Sequence, residues 1–258
     1  MPVDRSDELD RVKKWYADRE ESRIWGEQRV DEGLNPTEEH LLQKYFSPPG
    51  RVLNVGCGGG REALALHEKG FEVVGADLCE SFVETARVNA QKRSAPILFV
   101  VADVRDLPFS DEEFDCVVMV GQLIGQVPGR ANRIKALREV KRVLTRAGIL
   151  LCSTNAIELS WKYRLYFLVA NAKRKLYNPH GLAPNDAFVF RTGGKYNFLR
   201  SKAERPLYHW YTRREFQRDL DEAGFGLLES VRRWEFEAGG GAGKKLLGGE
   251  TYYVAIKD

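Results

Sequence analysis

Residues 51–78 read RVLNVGCGGGREALALHEKGFEVVGADL. The order is a short apolar strand, a glycine-rich turn, an amphipathic helix, a second strand and an aspartate. Gly56, Gly58 and Gly60 remove Cβ atoms where the chain must turn sharply and where a ligand would approach the main chain. The turn opens a helix, so free N–H groups and the positive end of the helix dipole face whatever lies above it. Asp77 follows at the end of the second strand, about twenty residues on, where a carboxylate can accept hydrogen bonds from a ribose diol. A dinucleotide-binding fingerprint would require glycine at 61, and the sequence has Arg61.

Outward from this stretch, strands and helices alternate. Val52–Val55, Glu72–Ala76, Ile97–Ala102, Phe114–Val120 and Ile149–Ser153 read as strands, separated by helices over Arg61–Lys69, Ser81–Lys92 and Ala131–Leu144. Apolar strands without alternation, set between amphipathic helices, indicate a parallel sheet buried on both faces. Two further strands follow in GLLESVRRWEF and TYYVAIKD, joined by EAGGGAGKKLLGG, residues 237–249, which reads as a flexible hairpin loop. The glycine-lysine run in that loop lacks the spacing and the following helix of a phosphate-binding P-loop. Past the third strand, VVADVRDLPF places Asp103 at the sheet edge that faces the same crevice as Asp77. A second acid there can accept from the exocyclic amine of an adenine, and Val104 can pack on the ring.

As an ordered set, VLNVGCGGG, VVGADLCESFVETA, VVADVRDLPF, FDCVVMVGQLIG and REVKRVLTRAGILLCS resemble the class I S-adenosylmethionine-dependent methyltransferases. The resemblance covers residues 51–155 strongly and 206–258 more loosely. It implies a Rossmann-like, doubly wound α/β fold with a seven-stranded, mostly parallel sheet whose last strand is antiparallel. It implies S-adenosyl-L-methionine as cofactor. Gly56, Gly58 and Gly60, with Cys57 among them, would pass under the methionine arm. Asp77 would hold the ribose and Leu78 would lie against the adenine. Asp103 and Val104 would hold the adenine edge, and Gly121 and Gln122 would border the sulfonium and the acceptor. Asn54 stands where the family usually has an acidic residue near the cofactor's amino group; it still offers a hydrogen-bond acceptor without the charge.

Methyl transfer from a sulfonium needs a base only for acceptors such as phenols or alcohols. The candidates are His209 in YHWYT, His180 in NPHG and Tyr211, with Tyr16 a further aromatic; His40 and His67 fall inside helices away from the crevice. For His209 the alternative is a hydrogen-bonded structural residue ahead of the next helix. The sequence lacks NPPY or DPPY after the fourth strand, a proline–cysteine pair for cytosine C5 methylation, and clustered acids for a magnesium site. No metal is expected.

The 258 residues carry a net charge of +3, with 43% hydrophobic and 30% charged residues, as in a globular protein. Cys57, Cys79, Cys116 and Cys152 are scattered, which suits reduced core thiols of a cytoplasmic protein. The charged start MPVDRSDELDRVKKW has no signal-peptide run, and no stretch is long and apolar enough to span a bilayer.

Three parts emerge. Residues 1–50 form a helical lid or cap, with Asn35 capping a helix that begins at Pro36. Residues 51–155 and 206–258 form the cofactor-binding domain, including a capped helix opened by Thr212 and Glu215 and ended at Gly224. Residues 156–205 interrupt the rhythm with a helix-like LSWKYRLYFLVANAKRKLY and a loop-rich stretch, both rich in bases and aromatics. That insert has three readings: a lid over a small-molecule methyl acceptor, an RNA-binding surface, or an amphipathic helix on anionic lipid. The functional reading is O- or N-methylation of a small molecule. A tRNA- or RNA-modifying methyltransferase is the alternative, and a non-catalytic cofactor-binding scaffold the second.

Overall fold

A computed structural model describes residues 6–159, 161–188, 191–192, 195–196, 205–233 and 250–258. The loop expected at 237–249 and residues 197–204 of the insert lie outside them.

The chain begins with α1 (Ser6–Tyr16) and α2 (Arg19–Arg23), which runs into a π-helical turn, Ile24–Gln28, and then a 3-10 turn, Val30–Glu32. α3 (Pro36–Tyr45) starts where expected. The Asn35 side chain accepts from the backbone N–H groups of Thr37 and Glu38, and Glu38 reaches back to the Asn35 N–H at 2.9 Å.

The sheet follows with β1 (Arg51–Val55), α4 (Arg61–Glu68), β2 (Glu72–Asp77), α5 (Glu80–Lys92), β3 (Leu98–Val101) and β4 (Phe114–Met119). Next come α6 (Leu123–Gln126), α7 (Arg130–Val143) and β5 (Leu144–Asn155). The insert contributes a 3-10 turn, α8 (Trp161–Leu176), β6 (Asp186–Phe188) and the two-residue strands β7 (Arg191–Thr192) and β8 (Lys195–Tyr196). The chain closes with β9 (Leu207–His209), α9 (Arg213–Ala223), β10 (Phe225–Arg232) and β11 (Glu250–Lys257). α9 carries the expected capping box between Thr212 and Glu215 and ends on left-handed Gly224.

Seven strands pair in the order β10-β11-β5-β4-β1-β2-β3. The β3, β2, β1, β4 and β5 ladders are parallel, while β11 runs antiparallel to both β5 and β10. This is the expected doubly wound sheet with one reversed strand. Chain order changes direction between β1 and β4, and ligands bind open sheets at such a switch point.

Both faces are covered. Leu53 and Val55 of β1 pack with Leu137, Val140 and Phe216 on one side. Val52 packs with Leu64, Val83 and Phe99 on the other. Residues of one strand alternate between faces, so Asn54 shares the face of Val52. All four cysteines are free and buried, in keeping with core thiols.

The π-helical turn lies directly on the glycine turn after β1. Gly59 donates its N–H to the Trp25 carbonyl at 3.2 Å, and a Cβ on Gly59 would fall inside contact distance of the Gly26 backbone. Asn89 ties both layers together, donating to the carbonyls of Gly26 at 3.0 Å and Gly59 at 2.9 Å. Gly59→Ala is therefore expected to lower stability by about 1–3 kcal/mol by overpacking. It should also increase proteolytic cleavage within residues 16–33; an unchanged melting midpoint with unchanged cleavage would refute this packing.

Candidate functional site

A cavity of about 280 Å³ opens at the switch point. Its walls come from the glycine turn after β1, the ends of β2 and β4, the segment following β3, and the N-terminal helices. Asp77, the last residue of β2, holds the corner of this site. Its Oδ2 accepts from the Gly58 N–H at 2.9 Å and its Oδ1 from the Cys79 N–H at 2.9 Å. Burial pushes its carboxyl above the usual value, and the N–H groups of Cys79, Gly58 and Leu78 oppose that shift. Each oxygen keeps acceptor capacity, and the residue lines the cavity.

The structure brings most of the expected residues together. Gly56, Cys57, Gly58, Leu78, Asp103, Val104, Gly121 and Gln122 all line the same cavity. Gly58 and Gly121 have positive φ of 51° and 69°, and a Cβ on Gly121 would meet nothing within 4 Å. The bare backbone there is a cradle that a side chain would fill. Gln122 is left-handed without being glycine, with φ 65°, and its N–H reaches the Ser153 hydroxyl at 3.3 Å. Backbone strain of this kind clusters at functional sites.

Three expected contacts differ. Asn54 is not on the cavity wall. It lies buried in the sheet, donating from Nδ2 to the Val118 carbonyl at 3.3 Å, because strand alternation turns it to the face of Val52. Gly60 also stands back from the cavity as the left-handed N-cap of α4. Asp103 is on the wall, but its carboxylate is clasped by Arg105, from Nε at 3.0 and 3.1 Å and Nη2 at 2.5 Å. Burial raises the Asp103 carboxyl, and the Arg105 hydrogen bonds outweigh burial and bring it below the usual range.

The candidate bases lie elsewhere. His209 is almost wholly buried, with Nδ1 2.7 Å from Asp186 Oδ1 and Nε2 3.0 Å from Glu215 Oε1. Burial disfavours its charged form, but the hydrogen bonds to Asp186 and Glu215 prevail and raise its pKa. With both nitrogens held by carboxylates it is a structural imidazolium at the start of α9. Tyr211 is fully buried against His209 and Phe216, its hydroxyl 3.5 Å from Asp219 and its pKa pushed up by burial. His180 is exposed, edge-on to Phe188. None of the three lines the cavity.

The N-terminal segment supplies walls that the strand pattern does not announce. Trp15, Tyr16 and Trp25 face the cavity, and Tyr16 donates to Gln126 Oε1 at 2.9 Å while its oxygen lies 2.9 Å from that of Tyr208. The floor beside the glycine turn is ionic. Arg61 binds both carboxylate oxygens of Glu38 at 3.0 and 3.2 Å and also pairs with Glu62. Burial raises the Glu62 carboxyl. At the β11 rim, Glu250 accepts from the Ser153 hydroxyl at 2.6 Å and from Arg233 at 3.1 Å. The insert, expected to close over the acceptor, places none of its described residues within 156–188 on the wall; that role falls to residues 9–29.

Residues 53–152 match a family described as methyltransferase domain. That stretch of the chain is similar to a methyltransferase domain. The YqeM protein of Bacillus subtilis is 38% identical over 110 residues, covering 43% of this chain and 44% of that protein. A ubiquinone biosynthesis O-methyltransferase of Coxiella burnetii is 29% identical over 137 residues, covering 53% and 56%. The chain thus spans about half the length of the curated relatives it matches. The methyltransferase fold extends further. A structure of S-adenosylmethionine-dependent methyltransferases from Methanosarcina mazei superposes with TM-score 0.66 at 24% identity, covering 87% of this chain and 98% of that one. The 1,6-didemethyltoxoflavin-N1-methyltransferase of Burkholderia thailandensis, solved with its namesake compound and S-adenosylhomocysteine, gives 0.65 at 18%, covering 100% and 90%.

His209→Ala would leave Asp186 and Glu215 facing each other without their cation, at an expected cost of about 3 kcal/mol. The folded-state pKa of His209 is raised, so its stabilisation is complete below the ordinary histidine value and fades as pH rises through the raised one. Urea midpoints of the parent and the variant should converge as pH rises from below the ordinary histidine value through the raised one; a constant gap would overturn this assignment.

Proposed function

We propose that the chain is an S-adenosyl-L-methionine-dependent methyltransferase of a small-molecule acceptor. The observation that carries the reading is the Asp77 carboxylate, fixed between Gly58 N–H and Cys79 N–H at the edge of a cavity floored by bare glycine backbone. Asp77 would take the ribose hydroxyls, Gly56 and Gly58 would underlie the methionine arm, and Leu78 and Val104 would sandwich the adenine. Asp103 reaches the adenine edge only in competition with Arg105. Glu38 and Glu62 outnumber Arg61 in the adjoining floor, a surplus negative charge suited to the cofactor's ammonium group.

When bound, S-adenosylmethionine supplies a methyl group already activated on a sulfonium. The chain's own part is placement and exclusion of water. Gly121 and Gln122 border the reacting end, and Trp15, Tyr16 and Trp25 close the chamber, which favours a step that disperses charge. Glu250 and Arg233 form a polar rim that would orient the acceptor, with Ser153 behind them holding Glu250. The small-molecule reading draws support from the names of the ubiquinone biosynthesis and didemethyltoxoflavin enzymes. It also rests on the aromatic side chains of Trp15, Tyr16 and Trp25 that line the chamber. Residues 1–50 then act as the lid, and 156–205 as an accessory segment outside the chamber.

Calorimetry with S-adenosylmethionine tests this. Binding with one site per chain is expected, and Asp77→Ala should weaken it by about 1–3 kcal/mol, the loss of hydrogen bonds to a charged group. Absence of heat with the parent chain would favour the scaffold reading, and an unchanged dissociation constant in the variant would displace the ribose from Asp77.

A further inference from the structure

We propose that α8 is a docking helix for an anionic phospholipid surface, an attachment separate from the chemistry proposed above. The helix has two faces. Its inner face is held: Phe167 is buried with Ile157, Ala187 and Trp210, and Tyr163 and Tyr166 pack against that cluster. The Arg174 guanidinium also turns inward, donating to the Ala183 carbonyl at 3.2 Å and the Asp186 carbonyl at 2.5 Å.

The outer face is apolar and open. Trp161 is 69% exposed, Leu165 51%, Leu168 69%, Val169 44% and Leu176 91%. At 100° per residue these five fall within one arc of about 100°, together with exposed Ala172. Scattered surface leucines need no explanation, but a continuous apolar stripe on one helix does.

What flanks the stripe identifies its occupant. Lys162 and Lys173 lie along one edge and Arg164 and Lys175 along the other, all four exposed. The helix contains no acidic residue. Long basic side chains beside an apolar stripe reach the headgroup layer while their stems and the stripe enter the acyl boundary. A tryptophan at one end suits that interface. A second protein would be expected to meet such a stripe with apolar surface and acids. RNA would use the bases and stack on aromatics, and it would leave Leu165, Leu168, Val169 and Leu176 without a role. No described helix is long and apolar enough to cross a membrane, so the attachment is to the surface. Tyr208 packs against the α8 cluster and also lines the cavity. A docked α8 would therefore stand between the lipid and a wall residue of the chamber.

The test is co-sedimentation of the full chain with large unilamellar vesicles, of phosphatidylcholine alone or with about one-third phosphatidylglycerol. Binding is expected to the anionic vesicles and to fall as salt rises. Leu165→Glu with Leu168→Glu should lower the partition coefficient by about tenfold or more, as should Lys162→Glu with Lys173→Glu. All four positions are exposed, so the melting midpoint and S-adenosylmethionine binding should not change; their retention separates this proposal from the cofactor assignment. No binding to anionic vesicles would overturn it. So would equal binding by the leucine variant, or retention of a tRNA pool by the parent that the lysine variant loses and the leucine variant keeps.

Discussion

The Asp77 carboxylate bridges two loops that would otherwise have no reason to meet. One oxygen takes the N–H of Gly58 in the turn after β1, and the other takes the N–H of Cys79 at the start of α5. A buried carboxylate is costly unless its oxygens are satisfied, and here backbone donors supply that satisfaction. Gly58 has a positive φ of 51°, the turn lines the cavity, and the carboxylate keeps acceptor capacity at its wall. Burial also pushes neighbouring thiols out of reactive range: Cys79 is raised to about 12, first by desolvation and then by Asp77.

Around that bridge, Glu38 does an unusual amount of joining. It closes the capping box of α3, receives both arms of Arg61 from the glycine turn, and accepts the Tyr252 hydroxyl at 3.1 Å from β11. Three parts far apart in the chain meet at one buried carboxylate. This connects the N-terminal segment to the sheet by polar contacts, while the close approach of Gly26 to Gly59 connects it by packing. The same segment then forms the aromatic wall.

The sheet was legible because its strands are continuous apolar runs and its helices have one apolar face; five strands and three helices fall within a few residues of their expected bounds. The glycine turn, Asp77, and the Gly121–Gln122 corner were legible because turn chemistry and strand ends are local signals. Contacts between side chains were not. Nothing in VVADVRDLPF says that Arg105 folds back on Asp103, since a two-residue separation serves a turn and a ligand contact equally well. Asn54 was assigned by position in a motif, whereas alternation along β1 determines its face. His209 resembled a base because it is a histidine near an insert; its partners, Asp186 and Glu215, lie in different elements and meet only through the β6–β9 pairing and the α9 cap. The role of residues 9–29 as the wall depended on their packing on Gly59, which no periodicity encodes.

Tyr16, Gln126 and Tyr208 come from three separate regions and meet above the cavity through hydroxyl and amide contacts. None of them belongs to a strand of the seven-stranded sheet. The shape of the chamber's roof is therefore written in segments outside the seven-stranded sheet. Natural variation or engineering could redraw the roof while the corner held by Asp77 stays as it is.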